Sequence, residues 1–522
     1  PRSDRRGDSV FKYPTTEPER MDLSAAVSAT AATLRRRPAD LLPFYLLGTA
    51  IPVIARMGLF VALAGTYLHF ELTGRLADAR RALAELDATP PETQDPEALQ
   101  AWAESIGPAL EPLASPTAVL LVTAGTVATL LLAVLTYAAV SAGQMSAVAG
   151  RIRGQRGLTA GIDGVRRRWV TFLGLYVAEF VVWAGVVSLA AVAVGGAFLV
   201  NPFLGGAVAL FGLLVVLVVL LAVRAVFAFA PSAVVIDETG VVGAVEGDGG
   251  FIRANPVDAL AYLVVAVGVL VAVSSVTSAL AFLGGGAVVA LGSAVVAAPA
   301  LDLLKTALYG DHRGVLAPVE PVGASLRAQF VGGVRRGWRE MRTFVRDTPG
   351  LHAVAVLVGV AFGAVGWLAV DPFVGAVTTS IESRLVGHLP PAAALNFFGN
   401  NWSVAIATAF AGTALGLPAL SSVAFNGVAL GAIAALEENL AALLAFVAPH
   451  GIFELPALFI SGALGIHLGI ASWRAFRGRL SRERFADALE RAFWVSIGVG
   501  VLIAVAAVIE GFVSPYYWRP FL

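Results

Sequence analysis

The chain contains no cysteine and almost no lysine. Across 522 residues, Lys12 and Lys305 are the only lysines in a basic complement that is otherwise arginine. Without thiols there is no disulfide, no thiolate nucleophile and no cysteine-ligated zinc, although the compartment stays open. Charge of either sign is also scarce. Asp, Glu, Lys and Arg make up 14% of the residues, against about a quarter in soluble proteins. No P-loop, dinucleotide fingerprint or serine–histidine–aspartate order is present, and the glycines at 284–286 join two apolar runs as a turn. What fills the chain is apolar: 57% hydrophobic residues and a mean hydropathy of +0.79. That balance specifies an integral membrane protein. The apolar runs reach about 20 residues without two-residue alternation, so helices are expected rather than a barrel.

Segments of spanning length fall at about 41–70, 116–143, 169–199, 205–231, 259–283, 286–306, 351–370, 395–417, 419–436, 455–473 and 490–511. Arginines group around them in four clusters: before the first span (Arg35 to Arg37), between spans two and three (Arg151 to Arg168), between six and seven (Arg313 to Arg346), and between ten and eleven (Arg474 to Arg491). Eleven spans place all four on one side. The positive-inside rule makes that side cytoplasmic, with the N-terminus inside and the C-terminus outside, in a multi-pass cell-membrane protein. The opposite side carries loop 71–115, whose three arginines and nine acids give 3 − 9 = −6. It reads as an external helical hairpin.

The expected organisation is a cytoplasmic N-terminus with an amphipathic helix at 1–40, then a six-span membrane domain at 41–309. A linker and a basic amphipathic helix occupy 310–350, and a second membrane domain occupies 351–522. The fold class is all-α, two bundles of about six and five spans. The arginine clusters suit anionic lipid at the cytoplasmic surface.

Ionisable groups inside spans are costly and mark structure or function. Arg56, Glu179 and Arg224 lie in the first half, and Glu179 and Arg224 can pair if their helices are neighbours. The second half carries Asn400 and Asn401, then Asn426 beside Gly427 with Gly431 four residues on, then the stretch PHGIFELPALFISGALG at 449–465. Pro449 and Pro456 flank His450, Gly451 and Glu454, so a re-entrant or broken helix is expected near 440–456. His450 and Glu454, four apart, share a helical face. Three roles are open: satisfying polar groups at the break with help from Asn400, Asn401 or Asn426; handling protons or ions; or ligating a metal together with His467.

These motifs, Asn400-Asn401, the FNG at 425–427 with Gly431, PHGIFELPA and GALGIHLG at 462–469, resemble the stage II sporulation protein M family over about residues 335–515. The resemblance implies a membrane-embedded, non-enzymatic scaffold that organises other membrane or cell-surface proteins, with Asn401, Asn426, His450, Gly451, Glu454 and Pro456 as the matching positions. The N-terminal six spans have no counterpart there, and an archaeal source is expected from composition. No cofactor, metal or nucleic-acid partner is expected, while a homo-oligomer fits the reading. The competing reading is a transporter or channel with a polar midplane site around His450 and Glu454; a membrane metalloenzyme ranks third.

Overall fold

A computed structural model describes residues 23–85, 96–281, 283–318, 322–371, 374 and 379–519. The expectations placed on residues 1–22, on Asp87, Glu92 and Asp95 of the acidic loop, and on 319–321 of the linker lie outside them.

The described chain is helical throughout, with one isolated bridge between Thr379 and Glu437. An amphipathic helix α1 (Leu23–Arg36) leads in. The first span is three pieces, α2 (Leu42–Thr49), α3 (Ile51–Ala55) and α4 (Met57–Leu72), because Pro52 opens α3 and Arg56 caps its end. Two short helices, α5 (Arg75–Ala84) and α6 (Pro96–Leu110), form the acidic loop, and Gly74 at φ +73 turns the chain between α4 and α5. Then come α7 (Pro116–Ile152), α8 (Gly157–Val200), α9 (Pro202–Val226), α10 (Ala230–Ile236), α11 (Val241–Ala254), α12 (Pro256–Ala281), α13 (Gly286–Gly292) and α14 (Ala298–His312).

The second half holds α15 (Leu326–Asp347), α16 (Pro349–Val370), α17 (Ile381–Arg384), α18 (Pro390–Ala411), α19 (Leu417–Leu436), α20 (Leu440–Phe476), α21 (Arg482–Phe512) and α22 (Ser514–Tyr517). Among the described residues, ten stretches are long and apolar enough to cross a membrane. The remaining expected span, α18, is 22 residues long but less apolar. It packs between α20 and α21 on one side and α2 and α13 on the other. Protein surrounds much of it, and Asn401 is half-buried there, whereas Asn396 and Asn400 are exposed.

One expectation is corrected. The helix does not break near 440–456: α20 is a single 37-residue helix with Pro449 and Pro456 inside it. Each proline removes one backbone donor, and neighbouring helices can hold such a span together.

The N-terminal core sits at the arginine end. Helices α7 and α8 hold 37 and 44 residues, about 55 and 66 Å at ~1.5 Å per residue, well beyond the ~30 Å hydrocarbon layer. Their buried residues cluster at the shared end, 138–152 and 157–175, around the wholly buried α10. In the C-terminal half, glycines set the packing. A Cβ on Gly431 would lie 1.9 Å from the Gly363 carbonyl oxygen, and one on Gly427 would lie 2.4 Å from that of Gly359. The α16–α19 crossing therefore requires bare backbone, the small-residue logic of membrane helix pairs. Gly465 and Gly469 of α20 likewise admit the turn after α18.

Candidate functional site

Asn439 caps α20 by accepting from the Ala442 N–H (3.0 Å). Ten and fourteen residues in, His450 and Glu454 project on one face, about 15 and 21 Å below the helix start. That depth places both in the half of α20 opposite the arginines, short of its middle. Helix α21 arrives antiparallel and supplies Glu510 near its C-terminus, and α22 adds Ser514. The His450 imidazole is buried; its Nδ1 lies 2.9 Å from Ser514 Oγ, and its Nε2 lies 3.9 Å from Glu510 Oε1. Asn401 of α18 donates from Nδ2 to Glu454 Oε1 (2.9 Å) and accepts from Asn400 Nδ2 (3.1 Å). Glu510 Oε2 is buried without a hydrogen-bond partner. Ligand atoms of His450, Glu454 and Glu510 all fall within 4.8 Å of one another.

A cap closes this end. Thr379 and Arg384 both bond the Glu437 carboxylate, at 3.0 and 2.9 Å, and the Glu437 side chain is almost wholly covered. Trp518 packs with Ile381 and Leu443 beside them.

The other sequence-selected residues divide. Of the three asparagines, Asn401 alone reaches the cluster. Asn426 instead donates to the Ser422 carbonyl and lines a separate cavity of about 200 Å³ with Gly427 and Leu455. Asn400 acts through Asn401. His467 is not part of the site: it lies at the other end of α20, edge-on to Phe344. Pro456 is exposed, and Gly451 is buried, where an added Cβ would crowd Val447 Cγ1 at 3.2 Å. Glu179 and Arg224 meet at 3.1 Å across α8 and α9. Arg56 is exposed at the bend between α3 and α4.

Sequence reading missed Glu510 and Ser514. Their signal was a lone carboxylate in AVAAVIEGF, passed over because it fell at the edge of a span.

It also missed two aspartates that organise the arginine end. Asp40 accepts from the Gly157 and Leu158 N–H groups (2.9 and 3.1 Å) and so caps α8. Asp248 of α11 accepts from the Phe229 and Ala230 N–H groups (3.0 and 2.9 Å), while its Oδ1 has no partner. Burial pushes the Asp248 carboxyl up to about 7, against those two donors, which favour the anion.

The arginine clusters converge at this end. Arg156 bonds Asp487 and Glu490, Arg336 bonds Glu490 and stacks on Trp494, and Arg482 pairs with Asp163. A cavity of about 530 Å³ opens among Arg35, Arg37, Arg151, Arg156 and Arg336. Helix α15 packs on α21 here, Gly337 against Ile497, rather than resting on lipid alone.

Fold and site together define a multi-pass helical membrane protein of two joined bundles. A family model described as domain of unknown function (DUF7847) matches residues 21–310, and one described as Stage II sporulation protein M matches residues 352–515. The first covers more than half of the chain, which therefore belongs to the DUF7847 family and carries a Stage II sporulation protein M domain after it. That second match begins beyond α15. No curated protein and no solved structure matches the chain.

Proposed function

We propose that the protein is a non-enzymatic membrane scaffold of the stage II sporulation protein M type. In this reading the C-terminal bundle presents the cap of residues 379–384, 436–439 and 513–518 to a membrane or cell-surface partner. The arginine end faces the cytoplasm and anionic lipid. One observation carries the reading: the motif side chains are taken up by contacts within the bundle, Glu454 with Asn401 and His450 with Ser514, next to the cap through Phe446. The cavity of about 200 Å³ beside α20 is lined by Asn426 and Leu455, and by neither His450 nor Glu454.

Glu454→Gln tests it. The scaffold reading expects lower folded yield in detergent and no proton or ion flux through proteoliposomes of either wild type or variant. A variant that folds normally while a wild-type flux disappears overturns it in favour of the transporter reading. The observation favouring that second reading is the unpartnered Glu510 oxygen, a buried acceptor able to receive a proton or cation.

A further inference from the structure

We infer that His450, Glu454 and Glu510 form a binding site for one divalent transition-metal ion of the zinc or manganese class. The argument starts from what burial demands. Two carboxylates and an imidazole face each other within 4.8 Å, the imidazole buried and the carboxylates half-buried. Uncompensated, two like charges at that separation in a covered site are strongly unfavourable, and a cation between them removes the repulsion.

The geometry leaves a place for it. At 3.9 Å, His450 Nε2 and Glu510 Oε1 stand too far apart for a hydrogen bond. Two donors on one metal, each at about 2.0–2.2 Å, sit about 3–4 Å apart, so the His450–Glu510 pair already fits and the wider separations, up to 4.8 Å, must close by about 1 Å. Each flanking donor is already oriented. Ser514 holds His450 through Nδ1, which leaves Nε2 as the ligating nitrogen, and Asn401 holds Glu454 through Oε1, which leaves Oε2. Metal ligands are normally fixed in this way by a further shell of hydrogen bonds. Glu510 Oε2, buried and unpartnered, is the second free oxygen. One nitrogen and two carboxylates suit zinc, manganese or ferrous iron, and no thiolate is present to select a softer ion.

The ion would staple α20 to α21 at the capped end, with α18 and α22 holding its ligands in place. This deepens the scaffold reading, since the metal serves the fold, and rests on that reading only in being structural rather than catalytic.

The test uses the full chain purified in detergent without chelators. Elemental analysis is expected to find about one ion per chain. Stripping with a chelator should lower the unfolding temperature, and adding Zn²⁺ or Mn²⁺ should restore it. Glu510→Gln should abolish stoichiometric metal, and Ser514→Ala should weaken binding about tenfold or more while the chain stays folded. Ser514→Ala keeps the test decisive if the Gln variant fails to fold. Folded wild-type protein with no ion above background and no saturable Zn²⁺ or Mn²⁺ binding at micromolar concentration overturns the inference, as does unchanged affinity in Ser514→Ala. A metal-free but flux-silent protein would sink the metal site and leave the scaffold reading standing.

Discussion

The two bundles solve the same solvent problem differently. In the most apolar windows of the α8 and α9–α10 spans, none of the residues is buried within the molecule, whereas 56% of the corresponding window of α21 is. Helices α8 and α9 therefore turn their apolar stretches to lipid, and the N-terminal core concentrates at the arginine end. The C-terminal bundle packs its spans on each other through glycine, and so can enclose polar groups within the layer. Lipid tails are as apolar as leucine, so apolar surface alone gives membrane helices little reason to associate. Close backbone approach does: glycines permit it at the α16–α19 crossing and beneath the α18–α19 turn and, in the N-terminal half, where Gly58 and Gly125 bring α4 against α7 and Gly164 brings α8 against α7.

The largest expected effect probes the N-terminal core. Asp248 titrates at about 7 in the folded protein against 3.8 unperturbed. A raised folded value means that its contribution is fully present below about pH 4 and is lost as pH rises through about 7. Relative to Asp248→Asn, which cannot titrate, wild type should lose stability across that window at roughly 1.4 kcal/mol per pH unit. Thermal unfolding of both proteins from pH 4 to 8 measures it, and parallel curves would refute it.

Gly431→Ala comes next. Its added methyl meets the Gly363 backbone, which cannot swing aside as a side chain would, so a loss of about 3 kcal/mol, the upper end of the overpacking range, is expected. Monodispersity and melting in detergent report it. Arg384→Ala should cost less, about 1–2 kcal/mol, by leaving the covered Glu437 carboxylate with Thr379 as its remaining side-chain partner. The smallest effect sharpens the contrast. Gly185 of α8 has nothing within 4 Å of an added Cβ, so Gly185→Ala should gain about 0.5–1 kcal/mol from lower chain entropy. If Gly185→Ala were as damaging as Gly431→Ala, the difference between the bundles would fall.

Much of the fold was legible. Long apolar runs can be satisfied in lipid only as helices, so the spans and the two-bundle division followed from hydropathy. The α20 error shows the boundary of that legibility. Two prolines read as a break, yet a helix held by neighbours tolerates both, and the neighbours are not in the local sequence. For the site, four-residue spacing was enough to put His450 and Glu454 on one face. It could not separate Asn401, which reaches Glu454, from Asn426, which bonds its own helix.

Composition and periodicity thus determined by themselves that this chain lives in a membrane, how its helices are ordered, and that its four arginine clusters belong on one side, because each follows from the cost of placing a group in oil or water. Only the tertiary structure decided that Glu510 and Ser514, some 60 residues from His450, complete its surroundings while His467, 17 residues away, does not. Antiparallel α20 and α21 bring their capped ends together, whereas 17 residues of helix carry His467 about 25 Å away.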